Sequence, residues 1–264
     1  MRKLRLIRRL VLFFVGIILI YFIIVVGRTV CQIRGRTWIK WRNRWVRFWA
    51  HYSIWLTGGT LKVFGTPPKP PFVLVSNHLT YVDVAAFFAS VNSVFVSKQE
   101  VRSWPILGTI VAGVNTIFVD RSRRSDVVRV NQLIAEQIDE HKGLIIFPEG
   151  TSTEGAEVLP FKPSLLAFPA SQGLPVHYAT ITYRTPPGEI PAHIALCWAV
   201  NGDPFLTHLK RLFGISSYEI EVRYGAEPVV ESDRKILAEV LYKRVCDEFV
   251  PSVVKESACQ APLS

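Results

Sequence analysis

Three patterns of apolar and polar positions succeed one another along the chain, and each predicts a different kind of element. From Leu10 to Gly27 eighteen consecutive residues carry no charge, with Arg2, Lys3, Arg5, Arg8 and Arg9 before them and Arg28, Arg34 and Arg36 after. As a helix this run is about 27 Å long at 1.5 Å per residue, close to the hydrocarbon thickness of roughly 30 Å. No small-x-small cleavage site follows it, so it reads as a retained anchor rather than a removed signal peptide. Basic residues flank both ends and leave the loop-charge rule nothing to discriminate. Crossing the bilayer and dipping into one leaflet both stay open.

The second pattern has a helical period. Trp38, Trp41, Trp45, Phe48, Trp49, Tyr52 and Trp55 recur at steps of three and four and cover an arc of about 120°, with Arg36, Lys40 and Arg47 opposite. Such a stripe suits a core face, but tryptophans backed by cations also suit a helix lying among lipid headgroups, the reading preferred here. Gly58-Gly59 and the Pro67-Pro68-Lys69-Pro70-Pro71 cluster then mark the entrance to a globular domain. The expected division is 1–57 for the membrane-anchoring helices and 58–264 for that domain.

The third pattern alternates short β-branched runs with helical stretches. Strands are predicted at Phe72–Ser76, Val94–Ser97, Val114–Val119, Leu144–Phe147, Val176–Tyr183, Ile194–Val200 and Tyr218–Tyr224; helices at Asp83–Ser90, Ser125–Glu140, Pro163–Ser171 and Asp233–Phe249. The alternation predicts an α/β fold, a mixed and partly parallel sheet flanked by helices, preceded by the membrane-associated helical pair.

Charge sharpens this picture. The formal net charge is +10, yet residues 1–50 hold twelve Lys/Arg and no acid. Taking those twelve from the total of 31 leaves 19 basic against 21 acidic residues, so the rest of the chain sits at −2. Basicity confined to the anchor points to anionic lipid and argues against nucleic acid as a partner. The four cysteines lack the close spacing of a metal site, and no metal or bound cofactor is implied.

In sheets of this kind the site lies beyond the carboxyl ends of the strands. Three polar clusters stand at such ends: Asn77-His78 through Asp83, Asp120-Arg121, and Pro148-Glu149-Gly150-Thr151. His78 is a candidate general base, and Asp83, five residues on, can hold its other ring N–H. Ser76 or Asn77 would cap the helix between them. Gly150 allows close backbone approach to a phosphate or a developing oxyanion, and Arg121 can grip a phosphate with two parallel bonds.

In this order and spacing, Asn77-His78-x4-Asp83, Gly113-x4-Phe118-x2-Arg121 and Phe147-Pro148-Glu149-Gly150-Thr151 resemble the first three motifs of the glycerophospholipid acyltransferase family, known through 1-acylglycerol-3-phosphate acyltransferases. The resemblance implies His78 as base and Asp83 as its partner, with Arg121, Glu149, Gly150 and Thr151 at the acceptor or oxyanion. Lys98 becomes a candidate phosphate contact. The expected reaction moves a fatty acyl group from acyl-coenzyme A or acyl carrier protein to the free hydroxyl of a lysophospholipid acceptor. That acceptor is expected to be 1-acyl-glycerol-3-phosphate, giving phosphatidic acid, at the cytoplasmic face of a membrane.

Two departures bear on the acceptor. Tyr178 replaces the second proline of the fourth motif in Leu174-Pro175-Val176-His177-Tyr178, and Ser152 stands where an arginine often follows the threonine. With Leu159-Pro160-Phe161-Lys162, these features look like a branch that includes lyso-ornithine lipid acyltransferases, the alternative acceptor class. A membrane-tethered lipid-binding module without catalysis explains the N-terminus equally well but gives no reason for a His-Asp pair at a strand's end.

Overall fold

The structure, a computed structural model, describes residues 2–99, 102, 116–119, 138–198 and 202–253. Its centre is a seven-stranded sheet in the order β1-β7-β6-β2-β5-β3-β4. The strands are β1 (Gly59–Phe64), β2 (Val73–Ser76), β3 (Ser93–Lys98), β4 (Ile117–Val119), β5 (Gly143–Ile146), β6 (Val176–Arg184) and β7 (Tyr218–Tyr224). From β6 through β2, β5 and β3 to β4 every pairing is parallel, whereas β7 runs antiparallel to β6 and carries β1 parallel to itself. The sheet is therefore mixed, and its central strands are buried on both faces. That burial is why β2 and β5 read as unbroken apolar runs rather than alternating ones.

Two cores fill the two faces. On one, Leu74, Phe95, Ile145 and Ile181 meet α3 (Val82–Ser90) and α2 (Ile39–Thr57). On the other, Val73, Val75, Leu144, Ile146 and Val176 meet α7 (Arg234–Glu248) through Leu237, Leu241 and Val245. Among the described residues the remaining helices are α4 (Ala167–Ser171), α5 (Ala192–Ala195) and α6 (Phe205–Gly214), with a 3-10 turn at Pro163–Leu166.

The N-terminal segment is α1 (Arg2–Ile33), long and apolar enough to cross a membrane. It folds back along α2. Tyr52 donates to the Leu12 carbonyl at 2.7 Å and the Trp41 indole to that of Ile23 at 3.2 Å, while Gly16 and Gly27 leave room for those two rings. Near its start Arg9 is buried and donates to the carbonyls of Phe213, Ile215 and Ser216, closing the C-terminal end of α6. Contact thus runs over most of the length of α1, and the remaining faces expose Leu4, Ile7, Val11, Phe14, Ile18 and Phe22.

Several expectations are revised by these contacts. The aromatic stripe of α2 is shared between α1 and the surface, for Trp41, Phe48 and Trp55 stay exposed while Tyr52 and Trp41 dock on α1. The opposite face of α2 gives Val46, Ala50 and Ile54 to the main core. The predicted strand Ile194–Val200 begins instead inside a short helix, Ala192–Ala195, whose first turn donates the Ile194 and Ala195 amides to the Pro191 carbonyl. Strand β1 and helix α6 were not anticipated. The helix predicted over 125–140 lies outside the described residues up to 137, and Asp139 and Glu140 form a turn into β5.

Candidate active site

Strands β2 and β5 are neighbours, with Val75 beside Ile146, so the segments that follow them emerge side by side at one edge of the sheet. The β2 segment carries His78, and α3 begins four residues later with Asp83 in its first turn. His78 Nδ1 lies 2.8 Å from Asp83 Oδ2, and the amides of Leu79 and Thr80 donate to the same oxygen at 2.7 and 3.0 Å. Backbone amides only donate, so Oδ2 is an acceptor and the imidazole holds its proton on Nδ1. The lone pair of Nε2 then points away from the carboxylate. Asp83 is wholly buried, whereas the His78 side chain keeps 22% of its surface and stacks on Phe147 at 4.1 Å.

The other carboxylate oxygen has a partner that motif reading missed. Tyr183, fully buried near the end of β6, donates its hydroxyl to Asp83 Oδ1 at 2.6 Å. Burial, with the charge of Asp83 beside it, lifts the phenol well above its usual range, so it stays a donor. A buried tyrosine must place its hydroxyl, but the identity of its partner followed only from β6 lying beside β2.

The turn after β5 grips the same loop. Glu149 Oε1 accepts the His78 amide and Oε2 accepts the Leu159 amide, both at 2.7 Å, and the Thr153 amide donates to the His78 carbonyl at 3.0 Å. Both backbone polar groups of His78 are therefore held by one turn. Glu149 is 1% exposed, and burial pushes its carboxyl up to about 7 against the pull of the two amides. Expected at the acceptor, it is instead occupied on both oxygens with backbone. Gly150 has φ 74°, a left-handed conformation that glycine adopts without strain, and its amide closes the turn on the Phe147 carbonyl. Thr151 is half-buried at the lip, and the Ser152 hydroxyl donates to the Trp198 carbonyl.

Asn77 differs from its expected role as a helix cap. Its side-chain amide donates to the Ile181 carbonyl and its oxygen accepts the Ile181 amide, which ties the loop to β6, while α3, with Tyr81 at its N-cap, has no side-chain cap. Lys98 closes β3 in register with Val119, but its side chain, and Arg121 altogether, lie outside the described residues. The geometry thus unites His78, Asp83, Glu149, Gly150 and Thr151 with Tyr183. Chemically it offers one imidazole nitrogen with a free lone pair, tautomer set by a buried carboxylate, at the rim of a sheet beside a membrane-suited helical pair.

Comparison with known proteins places the chain among acyltransferases. A family model described as Acyltransferase matches residues 62–182. A lyso-ornithine lipid O-acyltransferase of Brucella abortus is 30% identical over 227 residues, covering 78% of this chain and 81% of that protein. One from Pseudomonas aeruginosa is 32% identical over 174 residues, 65% of this chain, which spans 64% of that relative's length. A 1-acyl-sn-glycerol-3-phosphate acyltransferase of Neisseria gonorrhoeae is 29% identical over 195 residues, covering 73% of each. The crystal structure of the 1-acyl-sn-glycerophosphate acyltransferase from Thermotoga maritima superposes with a TM-score of 0.64 at 20% identity over 93% of this chain and 96% of the other, a likeness of fold.

Proposed function

The chain belongs to the Acyltransferase family, and on that premise we propose that it is an O-acyltransferase that esterifies the free hydroxyl of a lysolipid at a membrane surface. The observation that carries the proposal is the His78–Asp83 hydrogen bond, closed behind by Tyr183 and clamped by the turn after β5.

In this reading His78 Nε2 takes the proton of the acceptor hydroxyl as its oxygen attacks the thioester carbonyl of acyl-coenzyme A or an acyl carrier protein. The tetrahedral oxyanion is met by backbone amides of the Gly150 turn. The Gly150 amide closes the turn on the Phe147 carbonyl, and the role is assigned here to the amides that follow it, of Thr151 and Ser152. Collapse breaks the carbon–sulfur bond, and the imidazolium returns its proton to the departing thiolate. Asp83 keeps its charge throughout and stabilises the imidazolium. Glu149 acts as a positioning residue through the His78 backbone. Lys98 and Arg121 are assigned to the acceptor's phosphate.

For the acceptor we assign 1-acyl-glycerol-3-phosphate, yielding phosphatidic acid, on the retention of Lys98 and Arg121 at motif positions. A second reading, a lyso-ornithine lipid, is favoured by the turn itself. Ser152 occupies the position where an arginine often stands and turns its hydroxyl to a carbonyl, and the relatives from Brucella and Pseudomonas carry that name. The apolar α1–α2 pair holds the protein on the membrane, with the site on the cytoplasmic face, where thioester donors are made.

The test incubates purified protein with labelled acyl-coenzyme A and both acceptors and identifies the product by mass. His78→Ala is expected to lower the rate about 10²–10⁴-fold with the fold intact. More than about a tenth of wild-type rate in that variant sinks the base assignment. Acylation of lyso-ornithine lipid alone overturns the acceptor assignment but not the reaction.

A further inference from the structure

At the edge of the sheet opposite His78, where β2, β3 and β5 begin, a cleft of 390 Å³ opens between α2 and the loops that lead into those strands. Its walls are Lys40, Asn43, Arg44 and Arg47 from α2, with Pro70, Asn92, Glu140 and His141 from the loops. The acyl-transfer reading makes no use of it. Three cations project from one helix at spacings of four and three residues, and like charges so placed repel one another. Among the described residues Lys40, Arg44 and Arg47 form no salt bridge. Of the acids nearby, Asp139 pairs with Lys142, and Glu140, on the cleft wall, turns a side chain that is 82% exposed towards His141 at 3.4 Å. An anion in the cleft relieves the repulsion that the protein leaves standing.

The cleft is braced rather than loosely lined. Arg47 donates to Asn92 Oδ1 at 2.9 Å, and Asn43 donates to the His141 carbonyl at 2.8 Å while accepting from buried Arg42 at 2.7 Å. Its position selects the source of the anion. On α2 Arg44 neighbours the exposed aromatics Trp41 and Phe48 at three and four residues' spacing, while Lys40 and Arg47 lie further round, away from the aromatic stripe. A phosphate in the cleft therefore sits at headgroup depth when the aromatic edge enters the membrane. We propose that this cleft is a second lipid site, which binds the phosphate headgroup of an anionic phospholipid and so seats the domain on membranes of that composition. Three cations against one acid favour a headgroup without a compensating amine. The volume falls at the lower end of the range for small-ligand sites, which fits a headgroup and leaves the acyl chains to the adjoining apolar edge.

The experiment measures cosedimentation of the full chain with phosphatidylcholine vesicles and with the same vesicles doped with phosphatidylglycerol. Wild type is expected to prefer the doped vesicles. Arg44→Gln should lower that preference about fivefold, on the order expected for one basic residue at the surface. Asn92→Ala, which frees Arg47 without changing charge, should lower it too. Arg36→Gln, which removes the same charge outside the cleft, should lower it clearly less than Arg44→Gln. Equal losses in Arg36→Gln and Arg44→Gln, or an unchanged Asn92→Ala, mean a diffuse field and overturn the site. If inorganic phosphate at low millimolar concentration abolishes the preference while phosphatidylglycerol shows no advantage in detergent, the ligand is free phosphate and the lipid assignment fails.

Discussion

At the scale of single residues the site depends on how completely two buried carboxylates are occupied. Asp83 accepts three donors on one oxygen and Tyr183 on the other, so four bonds fix the carboxylate in the orientation that meets the imidazole. Tyr183→Phe removes the donor without leaving a large void. Its expected cost in stability is about 1.5 kcal/mol or more, as for a hydrogen bond to a charged group. A purely structural loss would leave kcat of the folded fraction in place, whereas releasing Asp83 from its second anchor lets the imidazole turn, so kcat should fall with KM little changed. Glu149 gives a stability signature of its own. Burial raises its carboxyl from 4.5 to about 7, so the folded protein binds the proton more tightly than the unfolded chain. That contribution is complete below about pH 4.5 and disappears as pH rises through 7. Glu149→Gln turns an NH2 towards one of two backbone amides, a loss of about 1–3 kcal/mol. The thermal-melt difference between wild type and Glu149→Gln should be larger at pH 5 than at pH 7.5.

Among elements, the α1–α2 pair is the one whose packing is most exacting. A Cβ on Gly27 would fall 1.9 Å from the Trp41 indole nitrogen, which is itself bonded to the Ile23 carbonyl. Two effects oppose each other there. Replacing a helical glycine by alanine gains up to about 1 kcal/mol of helix propensity, while overpacking costs about 1–3 kcal/mol. The clash should win, because the ring cannot withdraw without breaking its own hydrogen bond. Gly27→Leu is therefore expected to open the hairpin and to red-shift tryptophan emission, with Gly27→Ala intermediate.

For the whole molecule the question is what the N-terminal helices belong to. α2 buries Val46, Ala50 and Ile54 in the same core as α3 and the sheet, whereas α1 sets only the partly buried Leu6, Leu10, Phe13 and Ile24 against it and exposes many of its apolar side chains. Deleting residues 1–33 should leave a domain with native circular dichroism and much weaker liposome binding. Deleting residues 1–57 strips one face of the core and should yield no cooperative melt. A stable domain from the longer deletion would show that α2 is an appendage after all.

What the sequence determined by itself is whatever rests on local pattern. The eighteen-residue apolar run, the tryptophan period and the β-branched runs each predict an element from neighbours within a few positions, and the mixed, partly parallel sheet follows from their alternation. The His-x4-Asp spacing likewise places both groups on one loop and helix turn, and the two are found hydrogen bonded. Tertiary structure decided the rest, because it depends on which strands are neighbours. Tyr183 meets Asp83 a hundred residues away only since β6 flanks β2, and Glu149 clamps His78 only since β5 flanks it on the other side. The same holds for α2: its aromatic face announced a partner, but the core role of Val46, Ala50 and Ile54 followed from α3 lying beneath them. The apolar stretch after Pro191 fits strand or helix equally in isolation, and burial of Ala192, Ala195 and Leu196 settled it as a helical turn. Long-range register carries no periodic signal in one sequence, which is why these contacts appear only when the sheet is assembled.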